Sequence, residues 1–349
     1  MIVRAFGMER QSEAGAAAAM REHQSARMRR NHFSNLCNTG FGAAMNGLYA
    51  FGAVFCGYGL LRGTMSYGTM TAILQLVSQI QTPFANLSGY LPQYYSMLAS
   101  ADRLMEAEEY PDVIFSHATG YMSNETNFNN YFGRAYQARY LAGIAAGLKS
   151  LETGNNNVGY VAAYGREYAE TSSAAVNGFA LGVQAVNPDA TVYVKELGAW
   201  ADEVNEGAFA RELIQSFGCG VISQHCDSAQ PQIAAQDLGV FGCGYNSDMT
   251  ADAPDAHLTA AIWHWNVYYH TAIEAAMSCE SADQFVEKMG GPAYYGGLAE
   301  GFVDVSPLNE ATVAPGTADA IEKVRELIVS GDWDVFSGTK LHITVGEDG

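Results

Sequence analysis

The run Val221-Ile222-Ser223-Gln224-His225-Cys226-Asp227-Ser228 and its neighbour Phe241-Gly242-Cys243-Gly244-Tyr245-Asn246-Ser247-Asp248 share one design. Each opens on residues suited to a buried strand and closes on a knot of polar side chains. Between them, Pro231–Leu238 reads as a short helix, with its proline at the start where a missing N–H is harmless. Strand, polar end, helix, strand, polar end is the signature of a parallel sheet covered by helices. Ligands on such sheets sit beyond the carboxyl ends of the strands.

The same alternation extends in both directions. Strands are expected at Val113–Ala118, Val158–Ala163, Thr191–Leu197, Val221–His225, Val240–Tyr245 and His257–Trp263. Helices are expected at Arg134–Ser150, Glu170–Val186, Glu203–Phe217, Tyr268–Met277 and Ala318–Val329. Tyr140, Leu141, Ile144 and Leu148 recur at helical spacing, and Asn187-Pro188-Asp189 stops the second helix. The polar and aromatic residues gathered at strand ends are Trp200, Gln224, Asp227, Asn246, Asp248 and Trp263. Aromatic faces stack on a flat ligand, while amide and carboxylate groups read its polar edge. These six are the candidate ligand-binding residues. Turn and capping roles are the ordinary alternative for any one of them.

Catalytic readings fare worse. His225-Cys226-Asp227 places a base beside a thiol, but adjacent strand residues point to opposite faces. No G-x-S-x-G elbow and no H-E-x-x-H pair occurs. His264 and His270 have no acidic or cysteine partner at ligand spacing, so no metal or other cofactor is expected. The six cysteines, Cys37, Cys56, Cys219, Cys226, Cys243 and Cys279, show no C-x-x-C spacing and read as small buried residues.

Charge divides the chain. Residues 1–108 hold eight Lys/Arg against six Asp/Glu, whereas residues 109–349 hold ten against thirty-one. The acidic part excludes nucleic acid as a partner, because phosphate binding needs a basic surface. The N-terminal part has no secretory signal pattern. It carries a charge-free run of 29 residues from Phe33 to Leu61 behind Arg21, Arg27, Arg29 and Arg30. About 20 apolar residues cross a bilayer, and the arginines mark the cytoplasmic end. Ala43/Gly47 and Ala53/Gly57 supply the small-residue spacing that lets membrane helices approach. Arg62 opens a polar turn, after which a second charge-free run reaches Ala101, kinked at Pro83 and Pro92. The expected spans are about 33–61 and 68–91.

Two resemblances follow. Ile2-Val3-Arg4-Ala5-Phe6-Gly7, Gly68-Thr69-Met70-Thr71-Ala72 and Ser100-Ala101-Asp102-Arg103-Leu104-Met105-Glu106 resemble the last two transmembrane helices of an ABC exporter. No G-x-x-x-x-G-K-[ST] loop follows, so nothing in the chain cradles ATP. Tyr131-Phe132-Gly133-Arg134, Tyr140-Leu141-Ala142-Gly143, Val158–Ala163, Asn187-Pro188-Asp189-Ala190, Gln224–Ser228 and Gly244–Met249 resemble the basic membrane protein (PnrA-like) family of ABC substrate-binding proteins. That resemblance implies a type I periplasmic-binding-protein fold, Rossmann-like, bilobal and built on parallel sheets, with a nucleoside or related ligand between its lobes. It further implies an extracytoplasmic domain working with ABC transporter membrane subunits. Nucleoside binders of that family usually have Asp where this chain has Asn246 and Lys where it has Trp263. Both suit ribose hydroxyls, so their replacement points to a free purine-like base.

The expected architecture is therefore an α-helical membrane hairpin, residues 1–108, followed by an α/β binding domain, residues 109–349, that lacks the start of its first lobe. The shared stretch Glu106-Ala107-Glu108-Glu109-Tyr110-Pro111-Asp112 is the joint. Three functional readings stand: a membrane-tethered solute-binding protein, an exporter fragment with an unrelated tail, and a chimera without function of its own. If both runs span, the binding domain lies on the arginine-rich cytoplasmic side. If only the first does, it lies outside.

Overall fold

The computed structural model describes residues 47, 50–70, 73, 105–165 and 174–345. The chain divides into two compact units, Met1–Ala99 and Ser100–Gly349. Most of both expected spans, and Cys37, lie outside the described residues. Among the described residues no helix is long and apolar enough to cross a membrane.

In the first unit, residues 50–61 are helical, and the helix ends where the charge-free run ends. Gly63 takes a left-handed φ of 68°. Its N–H donates to the Leu60 carbonyl (3.1 Å) and the Thr64 N–H to the Gly59 carbonyl (3.0 Å), a Schellman closure. Ser66 Oγ then accepts from the Thr69 N–H (3.1 Å) and starts the next helical turn. The polar turn read at Arg62–Gly68 thus separates two helical stretches, with caps on both sides.

The second unit holds two sheets of unequal size. The larger comprises β3 (Asn157–Ala162), β4 (Thr191–Glu196), β5 (Val221–Gln224), β6 (Phe241–Asn246), β7 (His257–Trp263) and β9 (Val303–Val305). Its order is β4-β3-β5-β6-β7-β9, parallel throughout except for the β7–β9 pair. The smaller is parallel, in the order β1-β2-β8, from β1 (Phe115–Ala118), β2 (Phe128–Gly133) and β8 (Ala293–Gly296). The helices are α1 (Ala135–Thr153), α2 (Ala174–Val186), α3 (Glu203–Phe217), α4 (Gln230–Asp237), α5 (Trp265–Ser278), α6 (Phe285–Lys288) and α7 (Thr317–Ser330).

Local chemistry sets most of these boundaries. Asp202 accepts the Asn205 N–H (3.2 Å) and starts α3, and Gly218 ends it at a φ of 65°. α1 and α2 pack backbone to backbone: a Cβ on Gly143 would stand 2.3 Å from the Phe179 carbonyl oxygen, and one on Gly182 2.1 Å from that of Tyr140. The joint segment is held by Asn127, almost fully buried, whose Nδ2 donates to the carbonyls of Ala107 (3.0 Å), Tyr110 (3.3 Å) and Val113 (2.8 Å).

The chain passes between the two sheets three times, at β2 to α1, β7 to α5 and β8 to β9. All three passages meet at one place. The Arg134 N–H donates to the Gly296 carbonyl (2.7 Å), and the His264 N–H to that of Phe302 (2.8 Å). Arg134 also binds the Tyr295 carbonyl (2.8 Å) and Glu300 (2.6 Å). Trp263 and Trp265 stack at 4.9 Å with Phe302 edge-on to both.

Three strands escaped the sequence reading: β2, β8 and β9. Asparagine is depleted in strands, yet Asn129 of β2 is fully buried and its Oδ1 accepts from Ser116 Oγ and Tyr268 OH, both at 2.9 Å. The helix expected from Tyr268 begins earlier, at Trp265. That expected from Glu170 is described only from Ala174.

Candidate functional site

The carboxyl ends of β3 to β7 carry a continuous line of aromatic rings. Tyr164, after β3, meets Trp200, after β4, at 5.3 Å. Trp200 stands edge-on to His225 at 5.4 Å, and His225 edge-on to Tyr245 at 4.9 Å. Trp263 Nε1 donates to Tyr245 OH (3.3 Å). The line crosses to the smaller sheet through Phe132, 5.1 Å from Trp263, and reaches Tyr295 at 6.5 Å from Phe132. Trp200 keeps 36% of its surface open and Tyr295 42%, whereas His225 and Tyr245 are buried as the floor.

Strand geometry places the floor residues. Register pairs Tyr160 with Ser223 and Ser223 with Cys243, so these share a face. Two residues further on, His225 and Tyr245 emerge on that same face. At the rim, exposed Asn246 donates from Nδ2 to Asp227 Oδ1 (2.9 Å), joining the ends of β5 and β6. Asn246 takes a φ of 67°, a left-handed conformation that asparagine tolerates better than most side chains. The Asp227 N–H donates to the Trp200 carbonyl (2.9 Å), tying the β5 loop to the β4 loop.

The six candidate residues separate. Trp200, Asp227, Asn246 and Trp263 stand together along this line. Gln224 is fully buried beneath it. Its Nε2 donates to the carbonyls of Cys226 (3.0 Å) and Ser228 (2.6 Å), and its Oε1 accepts from Gln232 (3.0 Å), so it braces the loop from below. Asp248 turns to its own loop, accepting the Thr250 N–H (2.9 Å) and hydroxyl (2.6 Å). His225, Tyr245, Phe132 and Tyr295 were not among the expected site residues. The signal for the first two was the period of two counted from Ser223 and Cys243.

Electrostatics keep the floor neutral. Burial, followed by the Arg139 charge, holds His225 well below the ordinary histidine range. Burial, then the Glu206 carboxylate, pushes the Cys226 thiol far up. A neutral imidazole beside a protonated thiol is the opposite of the ion pair that activates a nucleophilic cysteine. Burial raises Asp227 against the Asn246 hydrogen bond, with Glu206 adding to the rise. The described cysteines, Cys56, Cys219, Cys226, Cys243 and Cys279, are all free.

Comparison with known proteins identifies the family. Residues 100–332 match the family model of the ABC transporter substrate-binding protein, PnrA-like. Residues 2–84 match that of the ABC transporter transmembrane region. An ABC transporter glucose-binding protein of Haloferax volcanii is 37% identical over 259 residues, 73% of this chain and 59% of the relative. A purine-binding protein of Brucella abortus is 32% identical over 232 residues, 66% of this chain and 61% of the relative. The chain thus spans about three-fifths of the length of these curated relatives. An ABC transporter solute-binding protein from Conexibacter woesei has the same fold, with a TM-score of 0.50 at 22% identity over 65% of this chain and 73% of that one. The chain belongs to the PnrA-like family of ABC transporter substrate-binding proteins, preceded by a segment of ABC transporter transmembrane type.

Proposed function

We propose that residues 109–349 bind a small planar ligand of the purine class, a free base ahead of a nucleoside, for an ABC transport system. The observation that carries this is the aromatic line from Tyr164 to Tyr295, which runs from strand ends of the larger sheet to the smaller one. Flat faces along that line suit stacking, and the Asp227–Asn246 pair at the rim offers an acceptor and an amide to a base edge. The binding residues are then Trp200, Asp227, Asn246 and Trp263, with His225 and Tyr245 as floor. Gln224 and Asp248 serve by holding their loops. Residues 1–108 act as a membrane hairpin with spans at about 33–61 and 68–91, tethering the binding part beside the membrane subunits of a transporter.

A second reading has its own support. The Haloferax relative is named for glucose, and a sugar also stacks on indole while its hydroxyls bind a carboxylate and an amide. Calorimetric titration of the detergent-solubilised full chain with adenine, guanine, adenosine, guanosine and glucose separates the two. Saturable heat with the bases, tighter than with their nucleosides, supports the purine-base reading. Adenosine tighter than adenine refutes the missing-ribose argument, and binding of glucose alone replaces the purine reading with the sugar one. No heat from a folded sample with any of the five refutes the binding role.

A further inference from the structure

Beneath the floor, a buried positive charge has no counter-ion among the described residues. Arg139, one turn into α1, is 1% exposed. Its guanidinium lies over the Tyr245 ring at 4.1 Å and 5.8 Å from the Tyr160 ring, and its Nη1 donates to the Gln224 carbonyl. Among the described residues, no carboxylate stands within 4.0 Å of it. Among the described residues its Nε and Nη2 have no hydrogen-bond partner, nor do Tyr160 OH, Ser223 Oγ and His225 Nδ1. Tyr160 and Ser223 are register partners on one face of the sheet, and His225 follows two residues after Ser223 on that face. Two orphaned nitrogens of the guanidinium thus stand by a sheet face that carries three further orphaned polar atoms. The charge acts on Tyr160, His225, Cys226, Cys243 and Tyr245, each a neutral group.

A buried ion without a partner is costly. Water supplies hydrogen bonds to such groups but no charge.

We infer that a small monoanion of the halide class is bound beneath the ligand floor, held by Arg139 with hydrogen bonds from Tyr160 OH and Ser223 Oγ. The anion neutralises the guanidinium, satisfies the hydroxyls and fixes Tyr245, so the floor is rigid only when it is present. His225 and Tyr245, the floor of the proposed ligand site, are themselves buried.

The test uses the detergent-solubilised full chain at constant ionic strength, with sodium gluconate replaced stepwise by sodium chloride. General screening of an acidic protein is the same in both salts, whereas a bound anion gives a saturable rise of Tm with chloride. Tyr160→Phe and Ser223→Ala each remove one hydrogen bond to the ion and raise the half-saturating chloride concentration by about tenfold. Arg139→Met abolishes the dependence. Crystals grown in sodium bromide give an anomalous peak between Arg139, Tyr160 and Ser223. Equal Tm in the two salts, unchanged half-saturation in both hydroxyl variants, or a bromide-free map showing only water at Arg139 would each overturn the assignment. Should Arg139→Met fail to fold, the two hydroxyl variants and the bromide map decide.

Discussion

Acid destabilises this protein through a histidine that the fold keeps neutral. His257, the first residue of β7, is fully buried. Burial lowers its pKa from 6.5 to about 4, although Asp248, 3.7 Å away, and Asp252 pull it upward. In the unfolded chain the imidazole titrates near 6.5, so between that value and about 4 the unfolded state binds a proton that the native state refuses. Its neutral form sits in the fold without cost above the unfolded value, and stability falls as pH drops through the window. At pH 5 the loss comes to about 2 kcal/mol, and by pH 4 it approaches about 3 kcal/mol. Urea unfolding of the solubilised chain at pH 7.5 and pH 5.0, wild type against His257→Gln, isolates the effect. Carboxylates other than Asp248, and the buried His225, contribute equally to both proteins and cancel, while Asp248, held below the ordinary carboxylate range in large part by its hydrogen bonds from Thr250, stays ionised over this interval. The wild type should lose about 2 kcal/mol more than the variant over this interval. Identical pH dependence in the two proteins would refute the reasoning, because His257 would then titrate in the native state as freely as in the unfolded chain.

Three further outcomes are expected. Trp200→Ala should weaken ligand binding by about tenfold or more, the worth of one aromatic stacking surface, with Tm nearly unchanged, since Trp200 is among the more exposed rings of the line; calorimetry reads both. Gly133→Ala places a Cβ 2.6 Å from the Phe302 ring and 2.8 Å from that of Trp263, where the passages between the sheets converge; it should cost about 1–3 kcal/mol by overpacking, measured by chemical denaturation. Asn127→Ala strips the carbonyls of Ala107, Tyr110 and Val113 of a shared donor; a loss of about 2–4 kcal/mol is expected, and protease cutting near residue 110 should accelerate, an effect absent if the segment is held by other contacts.

Much was legible along the chain itself. Strand–helix alternation from Val158 to Trp263 follows from side-chain period, and the bounds of Glu203–Phe217 follow from Asp202 and Gly218, whose capping chemistry is local. The charge divide, the charge-free run ending at Leu61 and the polar turn after it are likewise properties of neighbouring residues. The gathering of Trp200, Asp227, Asn246 and Trp263 was foreseeable from a single rule, that a parallel sheet brings its strand ends to one edge. Other features needed the tertiary structure. β2 and β8 are strands because Asn130 to Gly133 pair with Ala293 to Gly296, a contact between segments far apart in sequence, each with only two aromatic strand formers beside a glycine. Gln224 and Asn246 both read as polar strand-end residues. Yet one is buried under a loop by Gln232 and the other is exposed beside Asp227, a difference of orientation that composition does not carry. Arg139 looks like a surface charge on an amphipathic helix. Only the packing of α1 against β3, β5 and β6 encloses it, because burial is set by which face meets the sheet and not by the residue's own preference for water.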